Sequence, residues 1–219
     1  MALYVLDQDL IFPPAELADE DGLLAIGGDL SMDRLLLAYR NGIFPWYESK
    51  YILWWCPDPR FVLFPGELKI SNSMRQVLKK GDLEFSFNRN FSGVISSCKS
   101  ISRHDQEGTW ITEDMRNAYI NLHQYGYAQS AEAWQEGELV GGLYGIRLGN
   151  MFFGESMFSK VSNASKFAFI RFVQQLVAEG VTLIDCQVYT AHLESLGARM
   201  ISRKEFLGYV QSLGNSVDG

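Results

Sequence analysis

Two periodicities of apolar residues succeed each other along the chain. Leu35, Leu36 and Tyr39 lie at helical spacing, with Ser31 placed to cap the N-terminus and Gly42 placed to end the helix. Met74, Val77 and Leu78 repeat that pattern between Ser71 and Gly81, and Thr112 opens a third helix that runs to Gln124 ahead of Gly126. Strands then follow. They are predicted over 128–134, 138–147 and 151–153, joined by turns at Gln135-Glu136-Gly137 and Leu148-Gly149-Asn150. A long helix over 163–179 places Phe167, Ile170, Phe172 and Leu176 at helical spacing, and Gly180 ends it. A β-rich run over 181–188 and a last helix over 203–213 close the chain.

Antiparallel strands, a helix and a further strand give a mixed α+β unit over 63–219 that resembles the second half of an acetyltransferase-type (GNAT-type) fold. Residues 1–62 have another texture. Pro, Gly and Trp crowd Phe12-Pro13-Pro14, Gly42-Ile43-Phe44-Pro45-Trp46 and Trp54-Trp55-Cys56-Pro57-Asp58-Pro59, around the one predicted helix. A small N-terminal domain closed by loops is expected there.

With 219 residues, 47% hydrophobic and 21% charged, the chain can bury a sizeable core and is not of disordered composition. There is no run of about 18 apolar residues, so no membrane span is expected. The opening MALYVLDQDLIF has neither a basic start nor a small-residue cleavage site, so no secretory signal is expected. Cys56, Cys98 and Cys186 are scattered, which favours a reducing compartment, the cytoplasm, over a disulfide framework. His104 and Asp105 adjoin, but a metal site needs more ligands, and none is expected. The net charge of −7 argues against a dedicated, sequence-independent nucleic-acid binder, so any RNA contact must come from a local patch.

Four constellations can carry chemistry. In Leu183-Ile184-Asp185-Cys186-Gln187-Val188, a strand would put Asp185 and Gln187 on one face. Polar groups in so apolar a strand need partners, either each other in the core or a polar cavity. In Phe152-Phe153-Gly154-Glu155-Ser156-Met157-Phe158-Ser159, Glu155 stands among apolar and aromatic neighbours. It either has its pKa raised by burial, or holds an ammonium group, or pairs with a surface Lys such as Lys160 or Lys166. The segment lacks the second glycine of a nucleophile elbow, and no histidine is placed to activate Ser156. Trp46, Trp54, Trp55 and Trp110 lie beside Pro or Gly, where aromatics either stack on a base or join two domains; for Trp54 and Trp55 the second reading is preferred. Arg75 and Lys79, four apart on a helix with Lys80 adjoining, form either a solvated face or a phosphate contact.

The stretches GLLAIGGDL (22–30), LLLAYRNGIFPW (35–46), ILWWCPDPR (52–60), EGTWIT (107–112), LVGGLYG (139–145), FFGESMFSKVSNASK (152–166), LIDCQV (183–188) and HLESLGA (192–198), in this order, together resemble the bacterial leucyl/phenylalanyl-tRNA–protein transferases. The resemblance implies transfer of Leu or Phe, less readily Met, from aminoacyl-tRNA to the α-amine of proteins that begin with Arg or Lys, which marks them for degradation by the N-end rule. It implies a small N-terminal domain beside an acetyltransferase-like domain, no cofactor and a monomer. By position it makes Asp185 and Gln187 the catalytic pair and Glu155 the acid that holds the aminoacyl α-amine. Leu143, Met157, Ser159 and Phe172 would line the side-chain pocket. Trp46 and Trp110 would flank the terminal adenosine, with Tyr39 and Tyr119 nearby, and Arg75, Lys79 and Lys80 would meet tRNA. Asn72 and Gln76 stand where further basic residues are expected, and Leu143 where some relatives have Met.

An aminoacyl ester is already activated, so positioning suffices without ATP, CoA or metal. Gln187 would accept a hydrogen bond from the attacking amine through its carbonyl, with Asp185 orienting it and favouring the positive charge that develops. Two rivals are a CoA-dependent N-acetyltransferase, disfavoured by the glycine-free start of the long helix at 159–165, and a non-catalytic RNA-binding module, disfavoured by the acidic balance.

Overall fold

The computed structural model describes residues 3–47, 50–100 and 111–213. Its N-terminal part holds β1 (Tyr4–Leu6), β2 (Leu23–Gly27), α1 (Met32–Arg40), β3 (Phe44–Pro45) and β4 (Leu53–Trp55), and these strands form a sheet in the order β1-β2-β4-β3. Patterning predicts only α1 here. The strands are two to five residues long, too short for a period of two to register, and β3 carries Pro45, which a sheet admits at an edge.

The rest of the chain runs β5 (Arg60–Leu63), α2 (Asn72–Lys80), β6 (Glu84–Phe87), α3 (Phe91–Ser100), α4 (Glu113–Gln124), β7 (Ala128–Gln135), β8 (Glu138–Leu148), β9 (Met151–Ser159), α5 (Ala164–Ala178), β10 (Leu183–Gln187), α6 (Ala191–Glu194), β11 (Arg199–Ile201) and α7 (Arg203–Ser212). One sheet takes all of these strands, in the order β11-β5-β10-β9-β8-β7-β6. Every neighbouring pair is antiparallel except β9 and β10. Sheet membership changes between β4 and β5, so a division at 62/63 falls inside β5.

The predicted helices begin as their caps require. The hydroxyls of Ser31, Ser71 and Thr112 accept the backbone N–H of Arg34, Met74 and Met115 at 3.4, 3.2 and 3.1 Å. β6 and α3 carry no clear period and are not predicted.

Both faces of the large sheet are buried. Phe61, Leu63, Leu143, Phe152 and Ile184 pack with Phe167, Phe169 and Phe172 of α5. Val62, Tyr144, Phe153 and Leu183 pack on the other side with Tyr119 of α4 and Tyr39 of α1. α5 lies close over β8 because Gly141 has no side chain; a Cβ there would stand 2.6 Å from that of Ala164.

Candidate active site

The site lies where β9 and β10 part. Their pairing runs Leu183 with Met151, Ile184 with Phe152 and Asp185 with Phe153, while β9 continues to Ser159. Each strand is bulged just beyond the last pair. On β9, Tyr144 of β8 faces Ser156 and Gly145 faces Gly154, so Glu155 is the extra residue. On β10, Val62 of β5 faces Asp185 and Phe61 faces Gln187, so Cys186 is the extra residue. Bulges re-aim side chains at strand ends, and here they turn Glu155 and Gln187 toward each other: Gln187 Nε2 donates to Glu155 Oε1 at 2.9 Å.

Two phenols complete the surroundings of Glu155. Tyr39 Oη donates to Oε1 at 2.6 Å, Tyr119 Oη donates to Oε2 at 2.9 Å, and the two phenolic oxygens are 2.5 Å apart. Burial pushes Glu155 up to about 7, against the pull of the three donors, and the nearby Asp185 charge adds to the rise. Burial, then the Glu155 charge, pushes both tyrosines well above their ordinary value. Tyr39 and Tyr119 are fully buried. Their hydroxyls are taken up by Glu155 and by each other, and neither side chain lines the cavity. Neither Lys160 nor Lys166 pairs with Glu155; Lys160 lies over the Phe158 ring.

Asp185 is fully buried, and both its oxygens are occupied. Arg60 Nε donates to Oδ1 at 2.8 Å and Nη2 to Oδ2 at 2.7 Å, while the Gln187 backbone N–H donates to Oδ1 at 2.9 Å. Asp185 therefore acts on the backbone of Gln187 and not on its carboxamide. Gln187 has φ of 63°, a left-handed conformation that costs a non-glycine residue roughly 1–2 kcal/mol. Among the described residues no donor meets Gln187 Oε1.

A cavity of about 480 Å³ opens through the gap between the strands, a volume suited to a small-molecule group. Of the pocket residues expected, Leu143, Met157 and Ser159 line it, and so do Glu155, Asp185 and Gln187. Phe172 does not. It is fully buried behind Phe152, with ring centroids 4.8 Å apart, and Phe169, one turn earlier on α5, reaches the cavity instead. Ser159 also brackets the start of α5, accepting the Ser165 N–H at 3.1 Å and donating to the Val161 carbonyl at 2.8 Å. Cys186, Ser165 and His192 also line the cavity and were not predicted. Burial, then the Asp185 charge, pushes the Cys186 thiol far up. Arg60 was missed although it carries the same signal as Asp185, a lone charge in an apolar strand.

Trp46 is partly buried against Trp55, whose indole N–H donates to the Trp46 carbonyl at 2.7 Å, and it is away from the cavity lining. Trp54 is fully buried and donates to the Gly27 carbonyl at 2.9 Å, in keeping with a packing role. Trp110, with His104 and Asp105, lies outside the described residues. Arg75, Lys79 and Lys80 are exposed on α2, none of them lines the cavity, and Lys80 pairs with Asp82. Among the described residues no group of three His, Cys, Asp or Glu could hold a metal, and no helix is long and apolar enough to cross a membrane.

A family model described as leucyl/phenylalanyl-tRNA protein transferase matches residues 62–211, and one described as the N-terminal domain of such transferases matches residues 28–58. A leucyl/phenylalanyl-tRNA–protein transferase of Syntrophobacter fumaroxidans is 58% identical over 208 residues, covering 94% of this chain and 89% of the relative. One of Flavobacterium johnsoniae is 57% identical over 211 residues, covering 96% of this chain and all (100%) of the relative. Among solved structures, a GCN5-related glucosamine N-acetyltransferase region of a fungal multi-domain β-N-acetylglucosaminidase is 12% identical with a TM-score of 0.45, covering 81% of this chain and 23% of that one.

Proposed function

The chain belongs to the leucyl/phenylalanyl-tRNA–protein transferase family, and from that premise we propose that it moves Leu or Phe, less readily Met, from aminoacyl-tRNA to the N-terminal amine of proteins that begin with Arg or Lys. The observation that carries this reading is the meeting of an apolar cavity with the Glu155–Gln187 pair at the parting of two strands. The aminoacyl side chain enters between Leu143 and Met157, where burying it is worth roughly 1.5–3 kcal/mol. Its α-ammonium meets the ionised Glu155. The ester carbonyl is left beside Gln187, whose free Oε1 accepts an N–H of the incoming amine and steers its lone pair to the carbonyl carbon.

The balance of the reaction needs nothing further. A C–N bond forms, the ester C–O bond to the ribose breaks, and the proton lost by the amine is the one the ribose oxygen gains. Asp185 is already neutralised by Arg60, so it favours the step by holding Gln187 in place and not by attracting the acceptor's cation. The N-end rule supplies the biological outcome, degradation of the marked protein. The same reading places the enzyme in the cytoplasm, where charged tRNA is found, and takes it as a monomer.

Single-turnover transfer from labelled Phe-tRNA to an Arg-starting peptide tests this, with an Ala-starting peptide and acetyl-CoA as parallel arms. Transfer to the Arg peptide alone is expected. Acetylation without aminoacyl transfer would overturn the reading, and equal use of the Ala peptide would overturn the acceptor assignment.

A further inference from the structure

We propose that Arg60 is a positioning residue for the transfer step: through Asp185 it fixes the left-handed backbone of Gln187 that aims the carboxamide at Glu155. This deepens the transferase reading and rests on it.

The guanidinium of Arg60 is fully buried between the rings of Phe44 and Phe206, 4.7 and 4.4 Å from their centroids. Phe44 comes from β3 and Phe206 from α7, so the N-terminal sheet and the C-terminal helix together set the plane of the fork. The fork grips both oxygens of Asp185, and the same Oδ1 that takes Arg60 Nε also takes the Gln187 N–H. Rotation of the carboxylate would break all three bonds. Arg60 also adjoins Phe61, the residue of β5 that faces Gln187 across the bulge. One side chain therefore governs the bulge from the strand beside it.

Stability alone does not account for the pair. A buried ion pair contributes no more than well-packed apolar residues of similar volume and often less. What an apolar pair cannot do is accept the Gln187 N–H and hold a non-glycine residue at positive φ.

The test replaces the pair as a unit, R60M with D185L, beside a single R60K, in the full chain. The double variant is expected to stay folded, with Tm lowered by about 2–12 °C because the Gln187 N–H loses its acceptor. Its kcat is expected to fall roughly 100-fold while KM for Phe-tRNA stays within about threefold, because misaligned groups bind substrate but do not react. The Gln187 amide, slow to exchange hydrogen in wild type, should exchange fast. R60K keeps the charge and loses the fork, and should lose about tenfold in kcat at unchanged KM. A folded double variant with wild-type kcat would overturn the proposal. If the double variant does not fold, R60K decides, and wild-type kcat there overturns it equally. Wild-type protein that moves no aminoacyl group would instead overturn the transferase reading.

Discussion

Gln187 and Glu155 stand 2.9 Å apart across two strands that have stopped pairing, each placed by a bulge in its own strand. A carboxamide that donates to a carboxylate leaves its own oxygen free, so one contact fixes both the acid and the acceptor of the site. That contact, the phenols behind it and the cavity in front of it divide the work of the site.

Donor binding should depend on pH through Glu155. The acid titrates at about 7, and an α-ammonium needs it ionised. Affinity for a non-reactive amide analogue of aminoacyl-adenosine should therefore rise several-fold from about pH 6 to about pH 7.5, and stop rising where the analogue's own α-ammonium, at about 8, loses its proton. Calorimetry reads this without interference from the acceptor amine. Glu155→Gln should weaken binding and flatten the profile; an unchanged profile would remove Glu155 from the donor site. Stability runs the other way. The folded-state value lies above the ordinary 4.5, so folding favours the protonated acid. That contribution is complete below about pH 4.5 and is lost as pH rises through about 7. The stability of wild type relative to Glu155→Gln should accordingly decline over that interval, by denaturant titration.

Tyr39→Phe and Tyr119→Phe should move the binding profile to higher pH. Each hydroxyl stabilises the carboxylate by donating to it, which opposes the rise caused by burial. With a donor gone, ionisation is harder and donor affinity at neutral pH falls. Each substitution should also cost about 1–3 kcal/mol in stability, because a buried acceptor loses its partner. A shift to lower pH in either variant would contradict the network.

Leu143 should set the choice between donors. It is buried at the cavity wall, on the strand next to Met157. Leu143→Ala enlarges the cavity, destabilises by roughly 2–5 kcal/mol, and should raise the ratio of Phe to Leu transferred by up to about tenfold. Phe172→Ala makes the contrast. Phe172 supports Phe152 from behind, so it should lower stability by about 3–5 kcal/mol with a smaller change in that ratio. Competition between differently labelled Leu-tRNA and Phe-tRNA reads both.

How far the sequence reveals this site depends on the length scale of each feature. α1, α2 and α4 are legible because an apolar stripe repeats between a capping hydroxyl and a glycine, and α5 because its longer stripe runs up to Gly180. β7 and β8 are legible because a turn joins them. The acid and the amide are legible as polar groups stranded in apolar runs, and Arg60 carries the same mark. Phe169 and Phe172 are both apolar positions of one helix, and sequence spacing does not say which reaches the cavity and which sits one layer deeper. Tyr39 reads as part of a helix stripe. Its bond to Glu155 joins residues 116 positions apart, and no local pattern encodes a contact of that separation. The bulges at Glu155 and Cys186 are differences of one residue in register, visible only once the partner strands are known.

The exposed helix α2 offers a test of its own, because its three cations are not equivalent. Arg75 Nε donates to the Ile70 carbonyl, Lys80 pairs with Asp82, and Lys79 has no carboxylate partner among the described residues. If α2 meets the tRNA backbone, Lys79 is the side chain freest to release a counterion. Lys79→Ala should then lower the slope of log affinity against log salt by about 1, and Lys80→Ala by less, since Asp82 already offsets part of its charge. Asp82→Asn should strengthen binding at low salt by freeing Lys80. Filter binding of Phe-tRNA from about 50 to 200 mM salt resolves these differences. Equal slopes in all four proteins would assign the tRNA contact to another face of the molecule.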